Sequence, residues 1–147
     1  MIAVLQRTSK ASVTVYDKIV GSINSGLVVL LGIKKGDTKE DADYLAQKIS
    51  SLRIFNDDTN KMNLAILDVQ GSVLVISQFT LCANTNKGRR PSFLNAESPD
   101  CSKKLYEYFK ISLTKLGILV KSGEFGSLMN VKLVNDGPVT FTLDSKK

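Results

Sequence analysis

The reading of this chain turns on Ser72-Val73-Leu74-Val75-Ile76-Ser77-Gln78-Phe79-Thr80-Leu81, where an apolar run stops in a small polar cluster. Five residues from Val73 to Phe79 are large and apolar, and β-branched side chains are prominent among them. The run is too short for a typical helix, so it predicts a buried strand. The end of such a strand is rigid, and it holds hydroxyls, amides and backbone N–H groups toward a ligand without reorganisation. Two readings of Ser77, Gln78, Phe79 and Thr80 stand side by side: a strand end whose polar groups are satisfied internally, or the wall of a site.

Upstream, residues 1–7 read as one strand, and Ala11-Ser12-Val13-Thr14-Val15-Tyr16 alternates apolar with polar at the two-residue period of another. Asp17-Lys18 and Ser25-Gly26 are turn signals, and Ile19, Gly21 and Ile23 alternate with Val20, Ser22 and Asn24 between them. Leu27-Val28-Val29-Leu30-Leu31-Gly32-Ile33 is apolar on both faces, the mark of a strand deep in a sheet. Thr38 and Asp41 resemble a capping pair, and Ala42, Leu45, Ala46, Ile49 and Leu52 follow at helical spacing as one apolar stripe. Asn56-Asp57-Asp58-Thr59-Asn60-Lys61 reads as a polar surface loop.

Downstream, residues 82–93 read as a loop holding Lys87, Arg89 and Arg90, which form either a phosphate-contacting patch or a solvated basic loop. Ser98-Pro99-Asp100 opens a second helix with a capping hydroxyl, proline at the first position and an acid in the first turn. Leu105, Phe109, Leu113 and Leu116 make its buried stripe, and Gly117 ends it. Strands are expected at 118–120, 130–134 and 139–143. Asn135-Asp136-Gly137-Pro138 separates the last two. On its Asp-Gly it reads as a hairpin turn, and with its proline as a rigid tip that exposes carbonyl oxygens to a ligand.

With 147 residues the chain suits a single domain, 1–147, long enough to bury about 70% of its unfolded surface. Lys plus Arg number 20 against 14 Asp plus Glu, and the net charge of +6 favours anionic partners, nucleic acid first. The opening apolar run is too short for a signal peptide, and no run approaches the length of a membrane span, so a cytoplasmic protein without membrane partners is expected. Cys82 and Cys101 suit reduced thiols. There is no histidine, which excludes a Ser-His-Asp triad, a Cys-His dyad and any His-ligated metal, and two cysteines cannot build a four-thiolate site. No metal or cofactor is expected. Chemistry must come from backbone dipoles, hydroxyls, carboxylates, lysine or the substrate itself.

Ser77-Gln78-Phe79-Thr80-Leu81 together with Asn135-Asp136-Gly137-Pro138-Val139-Thr140 resembles the pair of signature motifs of the D-aminoacyl-tRNA deacylase family. The likeness runs along nearly the whole chain, through Ala3-Val4-Leu5-Gln6-Arg7, Arg53-Ile54-Phe55, Lys61-Met62-Asn63-Leu64, Arg90-Pro91-Ser92-Phe93 and Ser98-Pro99. The resemblance implies a single-domain α/β fold with a mostly antiparallel, barrel-like sheet and two packing helices, assembled as a homodimer. It implies hydrolysis of the ester that joins a D-amino acid, or glycine mischarged on tRNA(Ala), to the terminal ribose. It also implies that Gly137 and Pro138, joined by a cis peptide, reach from one chain to Ser77, Gln78, Phe79 and Thr80 of the other. Arg7 would brace that tip, and Phe125 would lie near the terminal adenosine. Glu124 departs from the basic residue more usual at its position.

Ester hydrolysis without histidine requires donors for the tetrahedral oxyanion, and the N–H groups of Phe79 and Thr80 could supply them at about 3–4 kcal/mol each. The ribose hydroxyl beside the ester can help to activate water. Thr80 is either a positioning residue or a nucleophile, the latter poorly activated without an adjacent base. Carbonyls of Gly137 and Pro138 gripping the substrate ammonium would reject an L side chain by collision, a stronger filter than the about 1–3 kcal/mol of a methylene difference. The competing expectations are a non-catalytic nucleic-acid-binding module, acting through Lys87, Arg89 and Arg90, and a purely structural dimer.

Overall fold

In the computed structural model, which describes residues 1–86 and 88–146, the sheet is assembled on β1 (Ile2–Val15). The first half of β1 pairs antiparallel with β3 (Gly26–Gly32) and the second half with β2 (Lys18–Ile23). Its other edge pairs antiparallel with β8 (Asn130–Asp144) along nearly its whole length. The exposed Ser9 and Lys10 divide the apolar pattern in the sequence, which predicts two strands. One strand forms instead, because β3 and β2 occupy successive halves of one edge while β8 spans both.

β3 continues in parallel to β6 (Ser72–Ser77), and β6 in parallel to β7 (Leu119–Ser122). The order is β2-β1-β3-β6-β7, with β8 on β1, and β7 returns to touch β2. The sheet is thus mixed but mostly antiparallel, and curled into a nearly closed barrel. β3 and β6 lie buried because both faces are covered. On one side α1 (Lys39–Ser51) and α2 (Pro99–Lys115) bring Leu45, Ile49, Phe109 and Leu113 onto Leu27, Val29, Val73 and Val75. Inside the curl, Val13, Val28, Leu74 and Ile76 form a second cluster closed by Met129, Val131 and Leu133. Each fully buried Leu, Ile or Phe contributes about 1.5–3 kcal/mol.

The Asp41 carboxylate accepts the backbone N–H of Thr38 at 2.8 Å, and so opens α1 as its spacing suggests. On α2 the buried stripe is rotated from the predicted one: Tyr106 is fully buried, while Leu105 and Leu116 are only half-buried. The Tyr106 hydroxyl donates to the Val75 carbonyl at 2.9 Å, which lets an aromatic with a polar end sit in the core. Residues 57–61 are the turn of a small hairpin between β4 (Phe55–Asn56) and β5 (Met62–Leu64), so the loop begins one residue later than expected. Hydrogen bonds from Thr59, Asn63 and the Lys61 N–H to the Asp57 carboxylate organise that turn and hold its pKa far below the usual range. Among the described residues no helix is long and apolar enough to cross a membrane.

Candidate active site

β6 stops at Ser77, and the Gln78 N–H donates to the Leu31 carbonyl at 2.8 Å as the last rung of the parallel ladder. The chain then winds into one turn of 3-10 helix over Phe79–Cys82. Phe79, which the sequence groups with the apolar run, has left the strand: it is 59% exposed and meets Phe93 edge-on at 5.0 Å between ring centres. Gly32 permits this turn. A Cβ there would stand 2.9 Å from the Leu81 Cβ and 3.0 Å from the Gln78 carbonyl oxygen, so the turn packs on bare backbone at the end of β3.

The first N–H groups of a helix have no partner inside it. Among the described residues, the N–H groups of Phe79 and Thr80 donate no hydrogen bond. The Thr80 hydroxyl accepts the Gln78 side-chain amide, a donor that cannot take its proton. Among the described residues no base engages the Thr80 hydroxyl.

A cavity of about 330 Å³ opens beside the strand end. Ser77, Gln78 and Phe79 line it together with Leu31 and Ile33, and Phe125 closes another wall, resting on Tyr106 at 5.6 Å between ring centres. Thr80 lies outside the lining. Among the described residues Glu97 is the one ionisable side chain in it, and sequence reasoning passed over it because it lies in an irregular segment ahead of the Ser98-Pro99 start signal. The Ser98 N–H, donated to the Glu97 carboxylate at 2.7 Å, keeps that carboxyl below the ordinary range, with help from the Gly36 N–H. The unpartnered N–H of Phe79, a residue of this mostly apolar lining, can hold a carbonyl oxygen as it becomes an oxyanion, with the Thr80 N–H next along the same turn.

Asn135-Asp136-Gly137-Pro138 is not a hairpin turn. β8 stays paired with β1 on both sides of it, with Gln6 opposite Thr140 and Thr8 opposite Asn135. Two steps along β1 (6 to 8) therefore face five along β8 (135 to 140), and residues 136–139 bulge outward. The Gly137–Pro138 peptide is cis, and Gly137 has φ +142°. The Asn135 side chain closes the base of the bulge, its oxygen accepting the Val139 N–H at 3.0 Å and its amide donating to the Thr140 hydroxyl at 3.1 Å. Arg7, with its side chain only 8% exposed, fills the bulge from within. Its Nε donates to the Asp136 carbonyl at 3.0 Å and lies 3.3 Å from the Asp136 carboxylate; its Nη1 donates to the Ile54 carbonyl at 2.7 Å and to Asn56 Oδ1 at 3.2 Å.

The structure thus gathers Ser77, Gln78, Phe79 and Phe125 around one cavity and holds Arg7 against the tip elsewhere. On β3, Arg7 pairs opposite Leu27 and Ser77 opposite Leu31, four residues apart. That separation is about 13 Å along the strand. Gly137 and Pro138 are absent from the cavity lining. Arg89 and Arg90 are exposed on the loop that the Asn84–Ser92 bridge closes, next to the Phe93 that meets Phe79. Lys87 lies outside the described residues.

Residues 4–144 match the model of the D-Tyr-tRNA(Tyr) deacylase family. The D-aminoacyl-tRNA deacylase of Bacillus cereus (strain G9842) is 53% identical over 99% of this chain and 100% of its own length. That of Thermosipho melanesiensis is 54% identical over 100% of this chain and 99% of its own. The solved structure of a c-Myc DNA unwinding element binding protein superposes with a TM-score of 0.95 at 39% identity over the whole of both chains. A probable eukaryotic D-amino acid tRNA deacylase shares the fold at a TM-score of 0.84 and 18% identity, over 97% of this chain and 98% of that one. Matched over nearly its full length and more than half identical to such relatives, the chain belongs to the D-Tyr-tRNA(Tyr) deacylase family.

Proposed function

We propose that this protein hydrolyses the ester of D-aminoacyl-tRNA, and of glycyl-tRNA(Ala), in the cytoplasm, as a homodimer whose sites are shared between two chains. The observation that carries the reading is the pair of unpartnered N–H groups on Phe79 and Thr80 beside the cavity, in a chain with no histidine. With the ester carbonyl oxygen against both, the oxyanion forms where donors already wait. Taken additively, two such contacts lower the barrier by about 6–8 kcal/mol, some 10⁴ to 10⁶ in rate. The ribose hydroxyl next to the ester assists the attacking water, and Thr80, its oxygen engaged by Gln78, positions rather than attacks. Phe125 takes the terminal adenosine, and Arg89, Arg90 and Lys87 take phosphates of the acceptor end.

The separation within one chain supports the shared site: Arg7, which braces the tip, lies about 13 Å along β3 from Ser77, and a second copy would bring its own tip to that strand end. Neither Gly137 nor Pro138 has a strand partner, so their carbonyls are free to accept the substrate ammonium. Held there, an L side chain collides with the tip, a D side chain points outward, and glycine passes. β8 also exposes Val134 and Phe141, 58% and 36%, apolar surface that a second copy would cover.

The reading is tested by incubating the protein with D-Tyr-tRNA and L-Tyr-tRNA. Release of D-Tyr with L-Tyr-tRNA left intact is expected; equal rates, or release from neither, overturns it. A second reading, a non-catalytic nucleic-acid-binding module, draws on the net charge of +6 and on the name of the DNA unwinding element binding relative. It predicts salt-sensitive binding of generic RNA or DNA with no dependence on an acylated end.

A further inference from the structure

α2 supplies a way out of the cavity as well as one of its walls. Pro99 and Ser102 line the cavity, and the next residue, Lys103, lies in a groove beside it with Ser122, Gly123 and Phe125. Phe125 lines both, so cavity and groove meet at its ring. Lys103 also lines a second groove, where α1 begins beside α2, together with Lys39 and Lys104. Positions 100, 103, 104, 107 and 111 recur at the spacing of one helical face, opposite the buried Tyr106, Phe109 and Leu113. On that face Glu107 is paired with Lys110 at 2.8 Å. Among the described residues no carboxylate lies within ion-pair distance of Lys39, Lys103 or Lys104. Lys39 stands over the Tyr108 ring, 5.1 Å from its centre. With Glu107 neutralised, three lysines face Asp100 in the second groove, and Glu124 is the remaining acid of the first. Cations gathered in one groove repel one another, so the arrangement gains energy only when an anion enters it.

The loop of Arg89 and Arg90 stands at the other wall of the cavity, next to the Phe93 that meets Phe79. The α2 lysines therefore serve a different stretch of a polyanion that ends in the cavity. We propose that the α2 grooves carry the sugar-phosphate chain of the substrate's unpaired 3′ end, with Lys103 meeting the first phosphate behind the terminal adenosine and Lys104 and Lys39 those that follow. The inference rests on the deacylase reading, which lays that adenosine on Phe125, and adds the path by which the tRNA leaves the cavity. Phosphate contacts carry no sequence information, so this path accepts the 3′ end of any tRNA.

The test compares D-Tyr esters of adenosine, of the trinucleotide CCA and of whole tRNA, with kcat and KM measured for the native protein and for the variant carrying Lys103→Gln and Lys104→Gln. The native protein is expected to show a lower KM for the trinucleotide than for adenosine, a gain that shrinks as salt rises and needs no variant to be read. In the variant, KM for the trinucleotide and for tRNA is expected to rise about three- to tenfold with kcat kept, the range of two exposed ion contacts. The slope of log KM against log salt should flatten by about 1.4, two single-strand phosphate contacts at about 0.7 each. The adenosine ester, which has no phosphate, should not respond. Equal KM and slope in both proteins, a loss of the same size on the adenosine ester, or a loss confined to whole tRNA overturns the inference while leaving the deacylase reading intact. Failure of the native protein to release D-Tyr from any of the three overturns both.

Discussion

Arg7→Met is the perturbation whose consequences the structure specifies most fully. The guanidinium bonds two backbone carbonyls, Ile54 and Asp136, and the Asn56 side chain, with its own side chain 8% exposed. Hydrogen bonds to charged groups contribute about 1.5–3 kcal/mol each. The Asp136 carboxylate is 57% exposed, so its ion pair adds at most about 1 kcal/mol. Against this stands the desolvation of the guanidinium, which the variant no longer suffers. The net expectation is a loss of about 3 kcal/mol, which for a domain of this size lowers Tm by about 6–12 °C. Thermal and urea denaturation measure that part. The functional part is read from D-Tyr-tRNA and L-Tyr-tRNA hydrolysis: the tip loses its inner brace while the strand end is untouched, so the D to L ratio should fall. Arg7→Lys, which keeps the charge but not the fork, should fall between the two. A Tm shift under about 2 °C, or a destabilised protein with an unchanged D to L ratio, would refute the reasoning.

Other outcomes follow from the same contacts. Gly32→Ala drives a Cβ into Leu81 and the Gln78 carbonyl, an overpacking of about 1–3 kcal/mol, and should depress D-ester hydrolysis more than stability; an unchanged kcat/KM would contradict the role given to the turn. Phe79→Pro removes one oxyanion donor at a helix-start position that tolerates proline, next to a Gln78 already outside helical geometry at φ −143°, ψ 79°. Its kcat should drop by about 10²–10³ relative to Phe79→Ala, whereas Thr80→Ala should keep much of the activity; complete loss in a folded Thr80→Ala would restore the nucleophile reading. A thiol reagent should label Cys101 alone in the folded protein, because Cys82 is buried and its burial pushes the thiol pKa up. Rapid labelling of both thiols under native conditions would show the Cys82 region to be open.

The parts of the fold that are local in origin were legible in the sequence. β3 and β6 announce themselves by apolar runs that leave no solvent face, and α1 by its stripe and its Asp41. What escaped depended on partners far away in the chain. The exit of Phe79 from the strand is decided by Gly32 on a neighbouring strand, whose missing Cβ makes room for the turn. The Asp-Gly signal at 136–137 points to a hairpin only while its flanks are assumed to pair with each other; in the fold both flanks pair with β1, and the same residues become a bulge. Arg7 reads in isolation as an end-of-strand cation, and its grip on Asp136 and Ile54 exists only once β8 and β4 are in place. Glu97 carries no periodic signal at all, since its place is set by the Lys34–Ala96 bridge.

The central claim is that the tip of one chain completes the cavity of another, and subunit mixing tests it most directly. Phe79→Pro damages the strand end and Pro138→Ala the tip, and the two variants are to be unfolded together, refolded at equal concentration and assayed on D-Tyr-tRNA. In a two-fold dimer half of the molecules are mixed, each with both lesions in one site and none in the other, so activity should return to about a quarter of the native value. Refolded mixtures no more active than the parent variants would contradict the claim.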